Sequence, residues 1–177
     1  PFVRVNDLSF EQIKKVMDVN FYGLLNVTKS YLPHLLGRPE AHIANVSSMG
    51  GFVPVPGQSI YGASKAAVKL LTEGLYSELK DTCVGVTAIF PGGIATDIVI
   101  NSGVMTEDQM KQMAAKAGPT RKTTSVADAA KAIISGVEKK RFHVLIGPDA
   151  KTMYLLSRIM PERAANLIYK NMKELLG

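Results

Sequence analysis

Val84-Gly85-Val86-Thr87-Ala88-Ile89-Phe90-Pro91-Gly92-Gly93 is a short, β-branched, almost wholly apolar run that stops at a proline and two glycines. It is too short for a core helix and too continuous for a strand with one wet face, so it reads as a strand buried on both sides. Its end is a loop, because proline cannot extend a sheet ladder and paired glycines mark turns.

The chain around it repeats that unit. Upstream, Ser59 to Lys80 reads as a helix with small residues at Gly62, Ala63, Ser64, Ala66 and Ala67 and an apolar stripe at Leu70, Leu71, Leu75 and Leu79. Before it, His42-Ile43-Ala44-Asn45-Val46-Ser47 is a second buried strand that ends in Ser47-Ser48-Met49-Gly50-Gly51, and Phe52 to Gly57, with Pro54 and Pro56, is a stiff connector. Ser9 with Glu11 and Gln12 looks like a helix start. From there Ile13, Val16, Met17, Phe21, Leu24, Leu25, Val27, Tyr31, Leu32 and Leu35 recur at helical spacing to about residue 36. So broad an apolar face fits a sheet on one side and a partner subunit on another. Asn20 and Gly23 interrupt this helix, either as a tolerated polar site or as a local irregularity whose amide points into a site.

Downstream, Ser125 with Asp128 begins a helix over 126–140, and Phe142-His143-Val144-Leu145-Ile146-Gly147 is a third strand. The tail over 149–177 makes two amphipathic helices broken at Pro161. Between 96 and 118 the periodicity is weaker, with a methionine-rich helical patch at about 106–116 (Met105, Met110, Met113) that suits either an apolar flap or plain packing. Strands alternating with helices imply right-handed crossovers and a parallel sheet, so the chain is a single α/β domain over 1–177. Three strands make a narrow sheet with an open edge, which leads us to expect that the front of the fold lies outside this chain.

Composition excludes several classes. The 177 residues are 46% hydrophobic and 20% charged, enough to bury a core. The single cysteine, Cys83, allows no internal disulfide and points to a reducing compartment. His34, His42 and His143 have no metal-ligand spacing. The excess of 21 basic over 15 acidic residues is dispersed, and the basic run Lys139-Lys140-Arg141 reads as a solvated helix end, so nucleic acid is not an expected partner. No apolar run approaches the roughly 18 residues that span a membrane, and no signal peptide opens the chain. The expectation is a cytoplasmic protein. Asn26-Val27-Thr28 and Asn45-Val46-Ser47 match the glycosylation pattern by chance, one in a helix and one in a strand.

The chemistry centres on Gln58-Ser59-Ile60-Tyr61-Gly62-Ala63-Ser64-Lys65. Tyr61 and Lys65 share a helix face at a spacing of four. An ammonium about 4 Å from a phenol favours the phenolate by up to roughly 4 kcal/mol at an effective dielectric of about 20. A tyrosine so placed can exchange a proton with an alcohol or carbonyl oxygen. The pair alone also occurs on ordinary helices with a solvated lysine, so its neighbours decide. Ser47 and Ser48 stand at a strand's carboxyl end, where open α/β sheets bind ligands.

Asn20, Asn-Val-Ser-Ser-Met-Gly-Gly over 45–51, Tyr-Gly-Ala-Ser-Lys over 61–65 and Pro-Gly-Gly-Ile-Ala-Thr over 91–96 occur in this order, each beside the right element. Together they resemble the short-chain dehydrogenase/reductase family in its compact oxidoreductase branch, from Asp18 to about Ile146. The resemblance implies a Rossmann-like doubly wound parallel sheet, here its C-terminal portion, and an NAD- or NADP-dependent oxidoreductase acting on a small alcohol or carbonyl substrate. It implies that Tyr61 exchanges the proton, that Lys65 acidifies Tyr61 and binds the nicotinamide ribose, and that Ser48 steadies the substrate oxygen. Asn20 would hold a water joining Lys65 to solvent, and Pro91, Gly92, Ile94 and Thr96 would contact the nicotinamide carboxamide. A homodimer or homotetramer, built on the helices from Ser9 and Ser59, is implied as well.

One departure stands out: the family's opening strand, glycine-rich turn and ribose selector are not in this chain. The chain is then expected to be part of a longer enzyme, or else a fragment with another role, such as a binding or scaffold protein without the cofactor half. Ser77-Glu78-Leu79-Lys80 matches a serine acyltransferase pattern, but no Ser-Asp-Asn, Lys-Thr-Gly or Gly-x-Ser-x-Gly accompanies it. An epimerase or dehydratase would reuse Tyr61 and Lys65 but fits the loop over 91–96 less well.

Overall fold

The computed structural model describes residues 2–96 and 123–173. Three parallel strands, β1 (Ala41–Val46), β2 (Val84–Pro91) and β3 (His143–Ile146), lie side by side in chain order. Ala41 faces Val84 and Val46 faces Ile89 across the first pair, and Ala88 faces His143 across the second. The strands fall within a residue of their expected bounds. The middle strand is the most enclosed, with Thr87 and Phe90 wholly buried and Ala88 and Ile89 nearly so.

That continuous burial follows from helices on both faces. On one face α2 (Gly23–Leu36) and α3 (Ser59–Glu78) bury Leu32, Leu35, Leu71, Leu75 and Leu79 against Ile43, Val84 and Val86. On the other, α4 (Val126–Glu138) lays Ala129, Ala132 and Ile133 on Ile89, Val144 and Ile146. Each fully buried valine, leucine or isoleucine here is worth about 1.5–3 kcal/mol relative to exposure, so the sandwich supplies the main favourable contribution. Asn45 donates to Thr72 Oγ1 at 3.0 Å, and Thr72 in turn donates to the Val68 carbonyl at 2.7 Å, which pairs the one buried amide between β1 and α3. The face of β1 turned away from α3 carries exposed Ala44 and Val46, and beyond β1 no further strand pairs among the described residues. The expected open edge is therefore present.

Helix ends follow the local chemistry. Ser9 forms a reciprocal capping box with Gln12 at the start of α1 (Phe10–Met17), and Ser125 accepts the Asp128 N–H to begin α4. Pro148 and Pro161 occupy the first turns of α5 (Pro148–Ile159) and α6 (Pro161–Met172), where their missing N–H costs nothing. These last helices bury Met153, Leu156, Ala164 and Ile168 against Met49, Phe52, Val53 and Val55, so they brace the connector that follows β1. The helix expected as continuous from Ser9 to about 36 is divided. A π-helical turn at Asp18–Tyr22, closed by the Gly23 N–H on the Asp18 carbonyl, separates α1 from α2. The methionine-rich patch expected at 106–116 lies outside the described residues.

Candidate active site

The carboxyl end of β1 runs into Ser47 and Ser48, and a single 3-10 turn over Met49–Gly51 then reverses the chain against the first turns of α3. The approach is close because the residues are small. A Cβ on Gly51 would stand 2.9 Å from the Lys65 carbonyl, and one on Gly62 would stand 2.9 Å from the Gly50 carbonyl, both too near for any real side chain. Ser47, nearly fully buried, donates to the Lys65 carbonyl at 2.7 Å. Lys65 reaches back and donates from its ammonium to the Val46 carbonyl at 3.1 Å. The strand end and the second turn of α3 are thus tied twice.

Within this frame Ser48 and Tyr61 converge. The position a Cβ would take on Gly50 is 3.5 Å from Ser48 Oγ and 3.4 Å from Tyr61 Cε1, so the two side chains flank one point. The Gly50 N–H donates to Ser48 Oγ at 3.0 Å. This occupies an acceptor lone pair and leaves the hydroxyl proton to be donated outward. The Lys65 ammonium lies 6.0 Å from the centre of the Tyr61 ring. Its hydrogen bond goes to the Val46 carbonyl, which holds the ammonium at the end of β1 beside the Tyr61 ring. Burial holds the Lys65 ammonium below the usual lysine range, since the charged form loses hydration there.

Asn20 sits in the π-helical turn, a geometry that recurs at functional sites. Its amide donates to Ser64 Oγ at 3.0 Å, and the fully buried Ser64 donates to the Tyr61 carbonyl at 2.7 Å. The expected irregularity is therefore real, and the side-chain amide acts through Ser64 on the backbone of Tyr61. Ser64 is the link the sequence reading passed over, because a serine inside a small-residue run carries no signal of its partner.

The second strand end carries Pro91, Gly92, Ile94 and Thr96. Gly92 N–H bonds the Ile146 carbonyl at 2.9 Å, Thr124 N–H bonds the Gly93 carbonyl at 2.9 Å, and Ala95 N–H bonds the Thr124 carbonyl at 2.9 Å. Ile94 and Thr124 form a parallel bridge. Gly93 N–H is taken by the Asp149 carboxylate at 2.6 Å, from the first turn of α5. Neither Thr124 nor Asp149 was singled out from sequence. Both strand ends lie on the same edge of a parallel sheet, in adjacent strands, so serines, phenol, ammonium and glycine turn line one side of the molecule. Among the described residues no group of His, Cys, Asp and Glu is placed to hold a metal ion, and no helix is long and apolar enough to cross a membrane.

Comparison with known proteins agrees with this layout. The family model described as short chain dehydrogenase matches residues 1–106. The chain is 37% identical over 166 residues to the putative oxidoreductase SadH of Mycobacterium tuberculosis, covering 93% of this chain and 60% of that protein. It is 32% identical over 159 residues to dehydrogenase/reductase SDR family member 7B of Rattus norvegicus, covering 90% and 48%. Among solved structures, a short chain dehydrogenase from Burkholderia cenocepacia in complex with NADP superposes with TM-score 0.76 at 24% identity, covering 94% of this chain and 63% of that one. A short chain dehydrogenase/reductase from Burkholderia phymatum in complex with NAD gives 0.74 at 27%, covering 92% and 63%. The chain thus spans between 48% and 63% of the length of these relatives. With the family model covering more than half of its residues, and with a parallel α/β sheet of the same fold, this chain belongs to the short-chain dehydrogenase family.

Proposed function

We propose that the protein is an NAD(P)(H)-dependent oxidoreductase that interconverts a secondary alcohol and a carbonyl, with Tyr61 exchanging the proton. The observation that carries this reading is the convergence of Ser48 and Tyr61 on Gly50, one helical turn from the Lys65 ammonium. The solved relative at 27% identity holds NAD, and a serine dehydrogenase at 26% identity is complexed with NADP+, which supports a nicotinamide dinucleotide as the partner.

The residues present suit the nicotinamide end of such a molecule. Lys65 spends one N–H on Val46 and keeps further donors for ribose hydroxyls. The turn at Pro91–Gly92, with Ile94 and Thr96, offers backbone groups and an apolar edge to the carboxamide and ring. When bound, the nicotinamide supplies or accepts the hydride.

The chain's own residues do the rest. Ser48 donates its hydroxyl proton to the substrate oxygen, in the orientation set by Gly50 N–H, and stabilises the charge that grows there. Tyr61 gives a proton to that oxygen in reduction and takes one in oxidation. Lys65 sets a positive charge beside the site, and its partial burial leaves that charge less screened than it would be in water. Asn20 and Ser64 fix the carbonyl of Tyr61 and so the pitch of the first turn of α3. Exposed Phe10, Val27, Tyr31 and Leu70 on α1, α2 and α3 support a homodimer or homotetramer through these helices.

The test joins binding to turnover. Titrating the protein with reduced nicotinamide cofactor, followed by cofactor fluorescence, is expected to saturate. On an alcohol or carbonyl that the wild type turns over, Tyr61→Phe is expected to lower kcat by about a hundredfold or more while cofactor affinity is kept. Turnover within about tenfold of wild type would remove Tyr61 from the chemistry. No cofactor binding at millimolar concentration would favour the scaffold reading.

A further inference from the structure

The geometry points to Asp149 as the residue that positions the Pro91–Gly93 turn for the nicotinamide half of the cofactor, an inference that rests on the function proposed above. Three strand-end glycines surround its carboxylate. A Cβ on Gly92 would overlap the carboxylate, one on Gly93 would touch Oδ2 at 3.4 Å, and one on Gly147 would stand 2.5 Å from Oδ1. Gly147 also has φ +95°, a backbone state that side chains rarely tolerate. The glycines at 92 and 147 therefore make room for a carboxylate packed between the ends of β2 and β3.

What that carboxylate does is asymmetric. Oδ2 accepts the Gly93 N–H at 2.6 Å, a bond short enough to be a strong restraint on the turn. Oδ1 is buried and finds no hydrogen-bond partner among the described residues. A buried acceptor without a partner is destabilising by itself, so the side chain is a poor device for stability alone. Placed here, it fixes the one N–H of the turn that points away from the strand ladder. The neighbouring Gly92 N–H and Gly93 carbonyl are already held by Ile146 and Thr124. With Asp149 in place the Gly92 N–H and both backbone groups of Gly93 are held, and the turn presents one fixed surface. Asp149 is thus a positioning residue, acting through Gly93.

The readout that separates positioning from plain stability is selectivity between the halves of the dinucleotide. Affinities of wild type, Asp149→Ala, Asp149→Asn and Asp149→Glu would be measured on the full-length protein by calorimetry for NADH and NADPH, and for ADP-ribose and its 2′-phosphate, which lack the nicotinamide. Asp149→Ala is expected to weaken the whole cofactor by about tenfold and to leave the nicotinamide-free ligands within about twofold. Asp149→Asn keeps an oxygen for Gly93 N–H and is expected to restore affinity to within about threefold of wild type. Asp149→Glu shifts the acceptor by a methylene and is expected to repeat the selective loss, which serves if the alanine variant does not fold. Equal weakening of both ligand types, or no change in either, would overturn the inference while leaving the oxidoreductase reading intact. Failure of the wild type to bind any of these ligands would instead overturn that reading, and this one with it.

Discussion

The Lys65 ammonium donates to the Val46 carbonyl at 3.1 Å, so the residue proposed to charge the site is anchored on the end of β1, not on its helical neighbour Tyr61. Burial lowers its proton affinity, which means that the folded chain carries an ammonium it would hydrate better when unfolded. Lys65→Met keeps the aliphatic stem and removes that burden. The variant is expected to melt at or above the wild-type temperature, by about 2 °C or more, and to lose turnover by about a hundredfold or more. Calorimetry beside a turnover assay checks both. A fall of more than about 4 °C would mean that the bond to Val46 outweighs the desolvation.

Stability is expected to decline on mild acidification, and a chain of hydrogen bonds explains why. Arg158 donates to the Tyr154 hydroxyl at 2.7 Å, Tyr154 lies 2.9 Å from His143 Nδ1, and His143 Nε2 lies 2.8 Å from Glu73 Oε1. Lys69 pairs with the other Glu73 oxygen at 3.0 Å. A neutral ring with its proton on Nε2 satisfies every member. Burial pushes the His143 pKa down, against the upward pull of Glu73, and the positive charges of Lys69 and Arg158 add to the fall. His42 is lowered too, by burial and then by Lys140. With both folded values below the unfolded value of about 6.5, the unfolded chain binds more protons in the window beneath it. The melting temperature should therefore be level above about pH 6.5 and fall as pH drops through the folded values. The double variant His42→Asn with His143→Gln should flatten that slope between about pH 6.5 and 5, before carboxylates take over. An undiminished slope would assign the effect to other groups.

These two networks also mark where the sequence was readable and where it was not. The strands were legible because helices cover both faces of β2, which forces an almost wholly apolar run from Val84 to Phe90. Helix starts were legible at Ser9 and Ser125 because capping is settled within three residues. Tyr61, Lys65 and Ser48 were legible as a set because spacing along a helix and position at a strand end are local facts. His143 read only as a histidine without metal spacing, since Glu73 is 70 residues away in the chain. Asp149 carried no signal beyond opening the tail helices, since its partner Gly93 is 56 residues away. The π-helical turn was half legible: Asn20 and Gly23 weakened the helix, but neither residue signals that the Gly23 N–H takes the Asp18 carbonyl.

Gly92 and Asp149 should behave as one unit in stability. Gly92→Ala puts a methyl into the carboxylate and is expected to lower stability by about 1–3 kcal/mol, the usual range for overpacking. In an Asp149→Ala background the obstacle is gone, so the same substitution should cost well under half as much. Denaturant unfolding of the four-member cycle measures the difference. Additive effects would show that the turn relaxes away from Asp149 without strain.

The exposed apolar face offers the last test. Phe10 is 91% exposed, Leu70 69%, and Val27 and Tyr31 61% each, on α1, α2 and α3, the last of which also carries Tyr61 and Lys65. Because these side chains make little contact within the chain, Tyr31→Glu or Leu70→Glu should leave its own fold within about 0.5 kcal/mol. A carboxylate facing apolar surface across a subunit boundary would oppose association strongly. Light scattering at micromolar concentration is expected to show a dimer or tetramer for wild type and a smaller species for the glutamate variants. A monomeric wild type, or an assembly size unmoved in both variants, would place the subunit contact elsewhere or remove it.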